Sequence, residues 1–228
     1  MNLIVIEGLD GAGKSTQIKL LKSYFEEKGI ESEYLHFPRT DAPYFGELVS
    51  RFLRGEFGRL DEVDPYLVAM LYAGDRKDAS EMIKEWLKKG KYVILDRYVY
   101  SNIAYQCAKI SDHAERSGLR DWILDLEFRH FAIPQAAINI FLDVPFAFTS
   151  EKLIESRSGS DRIYLKGNTD IHEDSLDFQR SVREVYLETA KSDVSLQILD
   201  CAAENGAMLT AEQIFDKTLD LLVKKGII

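Results

Sequence analysis

A glycine-rich stretch with one lysine and two adjacent hydroxyls lies close to the start of the chain, in the segment GLDGAGKSTQ at positions 8–17. It follows a continuous apolar run and precedes apolar residues at helical spacing, so it joins a predicted strand to a predicted helix. Glycines let backbone N–H groups surround phosphate oxygens, and a helix N-terminus adds partial positive charge. The pattern therefore predicts a phosphate-binding loop that holds a nucleoside triphosphate.

Two side chains of this loop have direct roles in phosphate and metal binding. The Lys14 ammonium is expected to contact the β- and γ-phosphates, and the Ser15 hydroxyl is expected to bind Mg²⁺. The loop alone leaves open whether water, a protein conformation or a second substrate receives the phosphate. The residues predicted to bind ATP are Gly8, Gly11, Ala12, Gly13, Lys14, Ser15 and Thr16.

A second charged cluster, Asp96-Arg97-Tyr98, follows another apolar run. Ligands of open α/β sheets bind at the carboxyl ends of the strands, and this strand is predicted to lie beside the first. Asp96 can organise Mg²⁺ there, and Arg97 can hold the phosphate group that attacks. A structural ion pair is the alternative. The Asn-Lys-x-Asp base motif of GTPase-type switches does not occur in the chain, which argues against a switch.

Composition and charge exclude several classes of protein. The net charge of −9 argues against general nucleic-acid binding, which favours basic surfaces. No apolar run approaches the ~18 residues that are needed to span a membrane. Cys107 and Cys201 are far apart and are interpreted as reduced thiols, and the histidines show no metal-ligand spacing. We expect a cytoplasmic protein without nucleic-acid or membrane partners.

Apolar segments alternate with helical patterns along the chain. Helical spacing covers 14–28, a stretch from Pro65 to about Asp75, a separate stretch over 81–90, and 210–225. Strands that alternate with helices predict right-handed βαβ units, and thus an α/β fold with a five-stranded parallel sheet and helices on both faces. We expect one domain over 1–228. The predicted strands are 2–7, 32–37, 91–96, 136–144 and 195–200.

Over nearly its whole length the chain resembles the thymidylate kinase family. The segments IEGLDGAGKSTQ, FPR at 37–39, YAGDR at 72–76, DRYVYSNIAYQ at 96–106 and FLDV at 141–144 occur in the order and spacing of that family. The resemblance implies a P-loop NTPase kinase fold with a short lid at about 157–172. It further implies the reaction MgATP + dTMP → MgADP + dTDP, with Mg²⁺ as cofactor, and a homodimer formed through packed helices.

The resemblance implies roles for residues around the acceptor's sugar and phosphate. Asp10 would approach the sugar 3′-hydroxyl and the metal region. Arg39 and Arg97 would grip the acceptor phosphate, for which a planar guanidinium is better suited than an ammonium. Tyr105 would crowd the sugar 2′ position and disfavour ribose.

The thymine ring would be recognised by a second group of residues. Phe37 and Tyr72 would flank the ring by stacking and apolar contact, although both are also compatible with a purely structural place in the core. Arg76 would donate to a thymine carbonyl, and Asn102 would read the N3–H edge. Further polar contacts to the base would come from Ser101 and Gln106.

The chain departs from the family pattern at two positions. Asp75 stands where a neutral residue is expected, and Gly11 stands where some members place an arginine in the phosphate loop. The predicted lid instead carries Arg157, Arg162 and Lys166, so we expect lid arginines to meet the charge on the transferring phosphoryl group. The predicted catalytic residues are Lys14, Asp10, Arg97, Arg157 and Arg162, and the predicted metal ligands are Ser15 and Asp96.

Two alternatives to this reaction stay open. A kinase for another nucleoside monophosphate or for a deoxynucleoside would share the phosphate loop, but Arg39 together with Arg97 favours an acceptor that already carries phosphate. A nucleotide-binding switch without a small-molecule acceptor is the second alternative.

Overall fold

A five-stranded parallel sheet lies at the centre of the computed structural model, which describes residues 2–155, 165, 170–172 and 175–228. Neighbouring strands follow the order β2-β3-β1-β4-β5, and all four pairs are parallel. The predicted α/β fold with a five-stranded parallel sheet is confirmed. The strands are β1 (Leu3–Glu7), β2 (Ser32–His36), β3 (Tyr92–Asp96), β4 (Ile138–Asp143) and β5 (Leu196–Asp200).

Strand β1 is central, and all five of its residues are buried. It pairs with β3 on one side, where Ile6 lies opposite Asp96, and with β4 on the other. The chain therefore changes direction across the sheet at β1, which is the place where ligands of open α/β sheets bind. The loops that follow β1 and β3 lie side by side at this edge, as the sequence predicts.

The described residues contain eight α-helices, of which seven connect the strands and the last follows β5. The predicted cap of α3 is present: the Asp64 side chain accepts hydrogen bonds from the N–H groups of Tyr66 and Leu67, and Pro65 is the first helical residue. A π-helical turn, Asp125–His130, continues α5. The helices are α1 (Lys14–Glu27), α2 (Phe45–Leu53), α3 (Pro65–Lys88), α4 (Val99–Cys107), α5 (His113–Leu124), α6 (Phe146–Glu155), α7 (Leu176–Ser192) and α8 (Ala211–Lys224).

Helix α3 is one continuous element of 24 residues, so the prediction of two separate helices over 65–75 and 81–90 is wrong. The apolar pattern is interrupted in the middle of α3 by Asp75 and Arg76. Both side chains are nevertheless buried, because each is bonded to an oppositely charged partner. A hydrophobic pattern does not distinguish buried charged residues that face a polar site from solvent-exposed ones. In the sequence, the two charges therefore resemble a break between two helices.

Apolar side chains on both faces of the sheet form the main core, and a smaller cluster of Val49, Phe52, Leu53 and Val68 packs between α2 and α3. No helix among the described residues has the length and apolar character that a membrane span requires. Most of the predicted lid at 157–172, including Arg157, Arg162 and Lys166, lies outside the described residues.

An unusual lysine borders the smaller cluster. Lys109, which follows α4, places its Nζ 4.8 Å from the centroid of the Phe52 ring. This nitrogen is buried and has no hydrogen-bond partner in the part of the chain that the structure describes. Burial lowers the pKa of the ammonium to about 7, and the attraction of Asp64 only partly opposes this shift. The lysine therefore destabilises the fold at any pH at which its ammonium is charged in the folded protein.

We expect Lys109→Met to raise the free energy of unfolding by on the order of 1 kcal/mol near pH 6.5, since methionine keeps the length and removes the desolvation cost. The folded protein loses this proton near pH 7, while the unfolded chain keeps it to about pH 10.5. The parent therefore gains stability relative to the variant as the pH rises through that window, and the advantage of methionine shrinks.

Denaturant unfolding of parent and variant near pH 6.5 and near pH 10 measures this difference. Lys19→Met, at an exposed position of α1, is the matched control and should change stability little at either pH. A gain from Lys109→Met that is equal at both pH values would show that the amine is solvated in the folded protein.

Candidate functional site

The phosphate loop joins β1 to α1 and takes a conformation that its glycines permit. Gly11 and Gly13 have φ angles of 76° and 80°, in the left-handed region that favours glycine. At Gly8, an added Cβ would lie only 3.2 Å from the Cβ of Ala12 and 3.4 Å from the Cγ of Lys14. Helix α1 begins directly after Gly13, so its free N–H groups point towards the loop. This arrangement can bind the oxygens of a phosphate chain.

Lys14 folds back over the loop. Its Nζ donates hydrogen bonds to the carbonyl oxygens of Leu9, at 3.0 Å, and Gly8, at 3.3 Å. Burial and the nearby charge of Arg97 lower the pKa of the Lys14 ammonium, while the carboxylate of Asp96 opposes the shift. The lysine is therefore held at the mouth of the loop, where the negative charge that compensates its ammonium comes from surrounding acids. A bound anionic ligand would supply this negative charge directly.

Arg97 connects the phosphate loop to α4. Its Nη2 donates to Asp10 Oδ1 at 2.6 Å and to the Tyr105 hydroxyl at 3.2 Å, and its Nη1 donates to Ser101 Oγ at 3.2 Å. The backbone of Arg97 has a φ of 66°, which is uncommon for a residue with a side chain and costs about 1–3 kcal/mol. A conformation of this kind persists where the surrounding contacts determine it, and it marks Arg97 as a candidate functional residue.

Asp10 is fixed on both of its oxygens. Oδ1 accepts from Arg97, and Oδ2 accepts from the Tyr105 hydroxyl at 2.8 Å. Burial would raise the pKa of Asp10, but the charges of Arg97 and Lys14 outweigh it and hold the pKa well below the usual range. Asp10 is therefore a rigid, ionised carboxylate beside the phosphate loop.

Beneath this pair lies Glu7, a functional candidate that the sequence analysis missed. The carboxylate is fully buried at the end of β1, and burial raises its pKa. Its oxygens accept hydrogen bonds from Ser101 Oγ at 2.5 Å, from the Tyr186 hydroxyl at 2.9 Å and from the N–H of Tyr98 at 2.9 Å. A charged residue inside a strand predicted to be buried on both faces was the signal that could have identified it.

A cavity of about 200 Å³ opens between the end of β2, α3 and α4, next to Asp10. It brings together every residue predicted for the acceptor site except Arg39. His36 and His172, for which the sequence indicated no role, also form part of the wall. The predicted residues that line the cavity are Asp10, Phe37, Tyr72, Arg76, Arg97, Ser101, Asn102, Tyr105 and Gln106.

Arg39 lies outside the lining of this cavity. Its backbone N–H and its Nε donate to the two oxygens of Asp75, at 2.8 and 2.9 Å, and its Nη2 donates to Asp78 at 2.7 Å. Asp75, the residue that departs from the family pattern, thus attaches the segment after β2 to α3. The charge of Arg39 is balanced by two acids in this conformation.

A polar network of neutral and charged groups forms and supports part of the cavity wall. Arg76 donates through Nε and Nη2 to both oxygens of Glu127, at 2.5 and 2.7 Å. Asn102 Nδ2 donates to Glu127 and to the carbonyl oxygen of Ala69, each at 3.0 Å. Asn102 Oδ1 and both amide atoms of Gln106 are buried without a partner among the described residues, so these groups are free to bind a ligand.

His172 forms another part of the wall. Its ring packs against Tyr105, with centroids 4.9 Å apart, and against Phe52 and Phe178. Burial and the charge of Lys109 lower the pKa of His172 to about 3, so the ring is neutral near pH 7. Its contact with Tyr105 limits the movement of the tyrosine ring beside Asp10.

A divalent cation is compatible with the predicted ligands Ser15 and Asp96. Asp96 Oδ1 is buried and has no partner among the described residues, while Oδ2 lies 3.3 Å from Nδ1 of His36. Burial raises the pKa of Asp96, but the hydrogen bond from His36 and the charge of Lys14 hold it below the ordinary value. One carboxylate and one hydroxyl are hard oxygen ligands, and Mg²⁺ takes its remaining ligands from phosphates and water. No cluster of three or more metal-ligating side chains occurs in the described ranges.

Comparisons with known proteins relate the chain to thymidylate kinases. The family model described as thymidylate kinase matches residues 6–211. A probable thymidylate kinase from Thermococcus kodakarensis is 34% identical over 226 residues, which cover 96% of each chain. Thymidylate kinase from Mycobacterium tuberculosis is 32% identical over 188 residues, covering 82% of this chain and 85% of the other. The solved structure of thymidylate kinase from Candida albicans, 26% identical, matches with a TM-score of 0.72 over 99% of this chain and 92% of that chain. With a P-loop kinase fold and a family match over most of its length, the chain belongs to the thymidylate kinase family.

Proposed function

We propose that this chain transfers the γ-phosphoryl group of ATP to dTMP and forms dTDP and ADP. The proposal rests on one observation in this chain, which is a member of the thymidylate kinase family. The cavity predicted to hold the acceptor adjoins the phosphate loop, and Arg97 bonds both to Asp10 of the loop and to Ser101 of the cavity wall. Donor and acceptor phosphates would therefore meet at Asp10 and Arg97.

The donor would be held by the phosphate loop. Backbone N–H groups at the start of α1 would surround the β- and γ-phosphates, and the Lys14 ammonium would leave the loop carbonyls to contact them. Ser15 and Asp96 would hold Mg²⁺, which when bound offsets the charge of the β- and γ-phosphates. The predicted ATP-binding set remains Gly8, Gly11, Ala12, Gly13, Lys14, Ser15 and Thr16.

The acceptor phosphate would be bound by Arg97. Its guanidinium is already oriented by Asp10 and Ser101, so little reorganisation is needed when an anion binds. An acceptor phosphate oxygen is ionised near pH 7 and requires no general base. Catalysis by these residues then consists of positioning and of charge neutralisation. Asp10 would lie near the sugar 3′-hydroxyl, and Arg39 would reach the phosphate only after it leaves Asp75 and Asp78.

The sugar and base would be selected farther along the cavity. Tyr105, whose hydroxyl is fixed between Arg97 and Asp10, would exclude a 2′-hydroxyl. Phe37 and Tyr72 would flank the ring. Polar groups for the edge of the base would come from Arg76, Ser101, Asn102 and Gln106.

Other features expected from the sequence or implied by the resemblance stay predictions. They are a single domain over 1–228, a cytoplasmic location, a homodimer, and a lid whose Arg157 and Arg162 meet the charge on the transferring phosphoryl group.

An acceptor screen tests the proposed reaction. With MgATP, we expect kcat/KM for dTMP to exceed that for dCMP and dGMP by about tenfold or more, and thymidine to be a poor acceptor. ADP formation is the measurement, with and without each acceptor.

Lys14→Ala should keep the circular dichroism spectrum and lower kcat by about 100-fold or more, because it removes charge stabilisation at the transferring group.

Each alternative has its own result in this screen. A higher kcat/KM for another monophosphate than for dTMP would indicate a kinase for that nucleotide. A higher kcat/KM for thymidine would exclude an acceptor that already carries phosphate. ADP release that does not respond to any acceptor would indicate a switch.

Arg97→Lys should not behave as a conservative change. A point charge replaces a planar group that bonds to Asp10, Ser101 and Tyr105 at once, so we expect the KM for dTMP to rise more than the KM for ATP, and kcat to fall. Steady-state kinetics with each substrate varied in turn measures the effect. Arg129→Lys, at a side chain 85% exposed, is the control. Equal effects on both substrates would assign Arg97 a structural role.

The predicted lid arginines are tested one at a time. At saturating ATP and dTMP, Arg157→Ala or Arg162→Ala should lower kcat by about 100-fold or more, because an arginine at the γ-phosphate offsets charge in the transition state. Binding of dTMP, measured by calorimetry, should change little. If both variants keep kcat within a few-fold of the parent, then Lys14 and Mg²⁺ must meet this charge without the lid.

A further inference from the structure

We propose that Glu127 is a positioning residue that determines which pyrimidine the enzyme accepts, although it does not line the cavity. It would act through Asn102 and Arg76, whose polar atoms it orients. The inference rests on the proposed function and deepens it, since it concerns how the acceptor's base is chosen.

Glu127 lies on the π-helical turn after α5, and its side chain is 0% exposed. Its two oxygens accept from Nε and Nη2 of Arg76 in a side-on, bidentate pair. Arg76 is itself buried, and the carboxylate of Glu127 raises its pKa against the opposing effect of burial. A buried pair with this geometry is rigid, because loss of either partner leaves an uncompensated charge.

The same carboxylate determines the orientation of the Asn102 amide. Nδ2 has two acceptors, Glu127 Oε1 and the carbonyl oxygen of Ala69. Rotation of the amide by half a turn would place Oδ1 against two oxygens, which repel it, so the network itself assigns the two amide atoms. Oδ1 is then the atom left without a partner among the described residues.

Arg76 is oriented by the same contact. Its side-on pair uses Nε and Nη2 and leaves Nη1 outside the carboxylate fork. The network therefore presents an acceptor on Asn102 and a donor on Arg76, and both residues line the cavity.

This donor and acceptor pattern favours one type of pyrimidine. A thymine or uracil ring offers an N3–H donor beside a carbonyl acceptor at C4. A cytosine ring offers an N3 acceptor beside an amino donor, so it would set acceptor against acceptor and donor against donor. A site built to pair with one pattern rejects the other because its buried groups are left unpaired. Glu127 thus supplies discrimination against cytosine from outside the cavity.

Glu127→Gln tests the inference with nearly the same shape. The glutamine amide has only one oxygen, so it cannot accept from Arg76 Nε, Arg76 Nη2 and Asn102 Nδ2 together. Its NH₂ must face either Arg76 Nε or the other two donors, so Arg76, Asn102 or both lose the contact that orients them. We expect the ratio of kcat/KM for dTMP to that for dCMP to fall by about tenfold or more, mainly through the acceptor KM. The KM for ATP should not change, because Glu127 bonds to side chains of α3 and α4 and not to the phosphate loop.

Two further variants separate orientation from stability. Asp125→Asn removes a negative charge from an exposed position of the same turn and should leave the ratio unchanged. Glu127→Asp keeps the charge that balances Arg76, so the pair stays neutral, but its shorter side chain cannot hold Arg76 and Asn102 together. It should lower the ratio by several-fold, and it decides the question if Glu127→Gln does not fold.

The outcomes distinguish this inference from the proposed function. Absence of dTMP phosphorylation in the parent contradicts the proposed function. Parent activity on dTMP, with a dTMP-to-dCMP ratio that stays within about twofold in the folded Glu127 variants, shows that Glu127 is a structural ion-pair partner only and overturns the inference.

Discussion

The ion pair between Arg97 and Asp10 is the contact on which the rest of the site depends. It joins the loop after β1 to the end of β3, and the same guanidinium continues to Ser101 on α4. The left-handed backbone at Arg97 costs free energy, and the pair offsets it by placing one guanidinium against groups from two other segments, the phosphate loop and α4. Movement of the phosphate loop would leave the charge of Arg97 without its acidic partner, and movement of α4 would remove its two hydroxyl partners.

Beneath this pair, Glu7 is another buried charged group that bonds to several chain segments. Glu7 is a carboxylate in the most buried strand of the sheet, and hydroxyls from α4 and α7 together with two backbone N–H groups satisfy it. Such groups contribute little net stability, because their hydrogen bonds mainly offset desolvation. They do hold donors and acceptors in fixed directions before a ligand binds, and fixed dipoles stabilise developing charge without reorganisation. The apolar faces of the sheet must supply the stability that this layer does not.

The sequence predicted what is local and missed what joins distant segments. The phosphate loop, the five strands and the neighbouring positions of β1 and β3 follow from short patterns and from the handedness of βαβ units. Helices α2 and α5 were not predicted, and α3 was divided in two because its buried charges interrupt the apolar pattern. The pairs Arg39–Asp75 and Arg76–Glu127 are 36 and 51 residues apart, and no local pattern indicates either.

The two parts of the site also differ in how far a local sequence motif identifies them. At the phosphate end, backbone N–H groups and a lysine within one short motif provide the positive charge, so the motif alone identifies the ligand as a nucleotide. In the part of the cavity proposed to hold the base, the free atoms of Asn102 and Gln106 are neutral amides, and the direction of the asparagine amide depends on a carboxylate from another helix. Motifs therefore identify phosphoryl transfer more readily than they identify the acceptor. For the same reason, a kinase for another nucleotide could not be excluded from the phosphate loop alone.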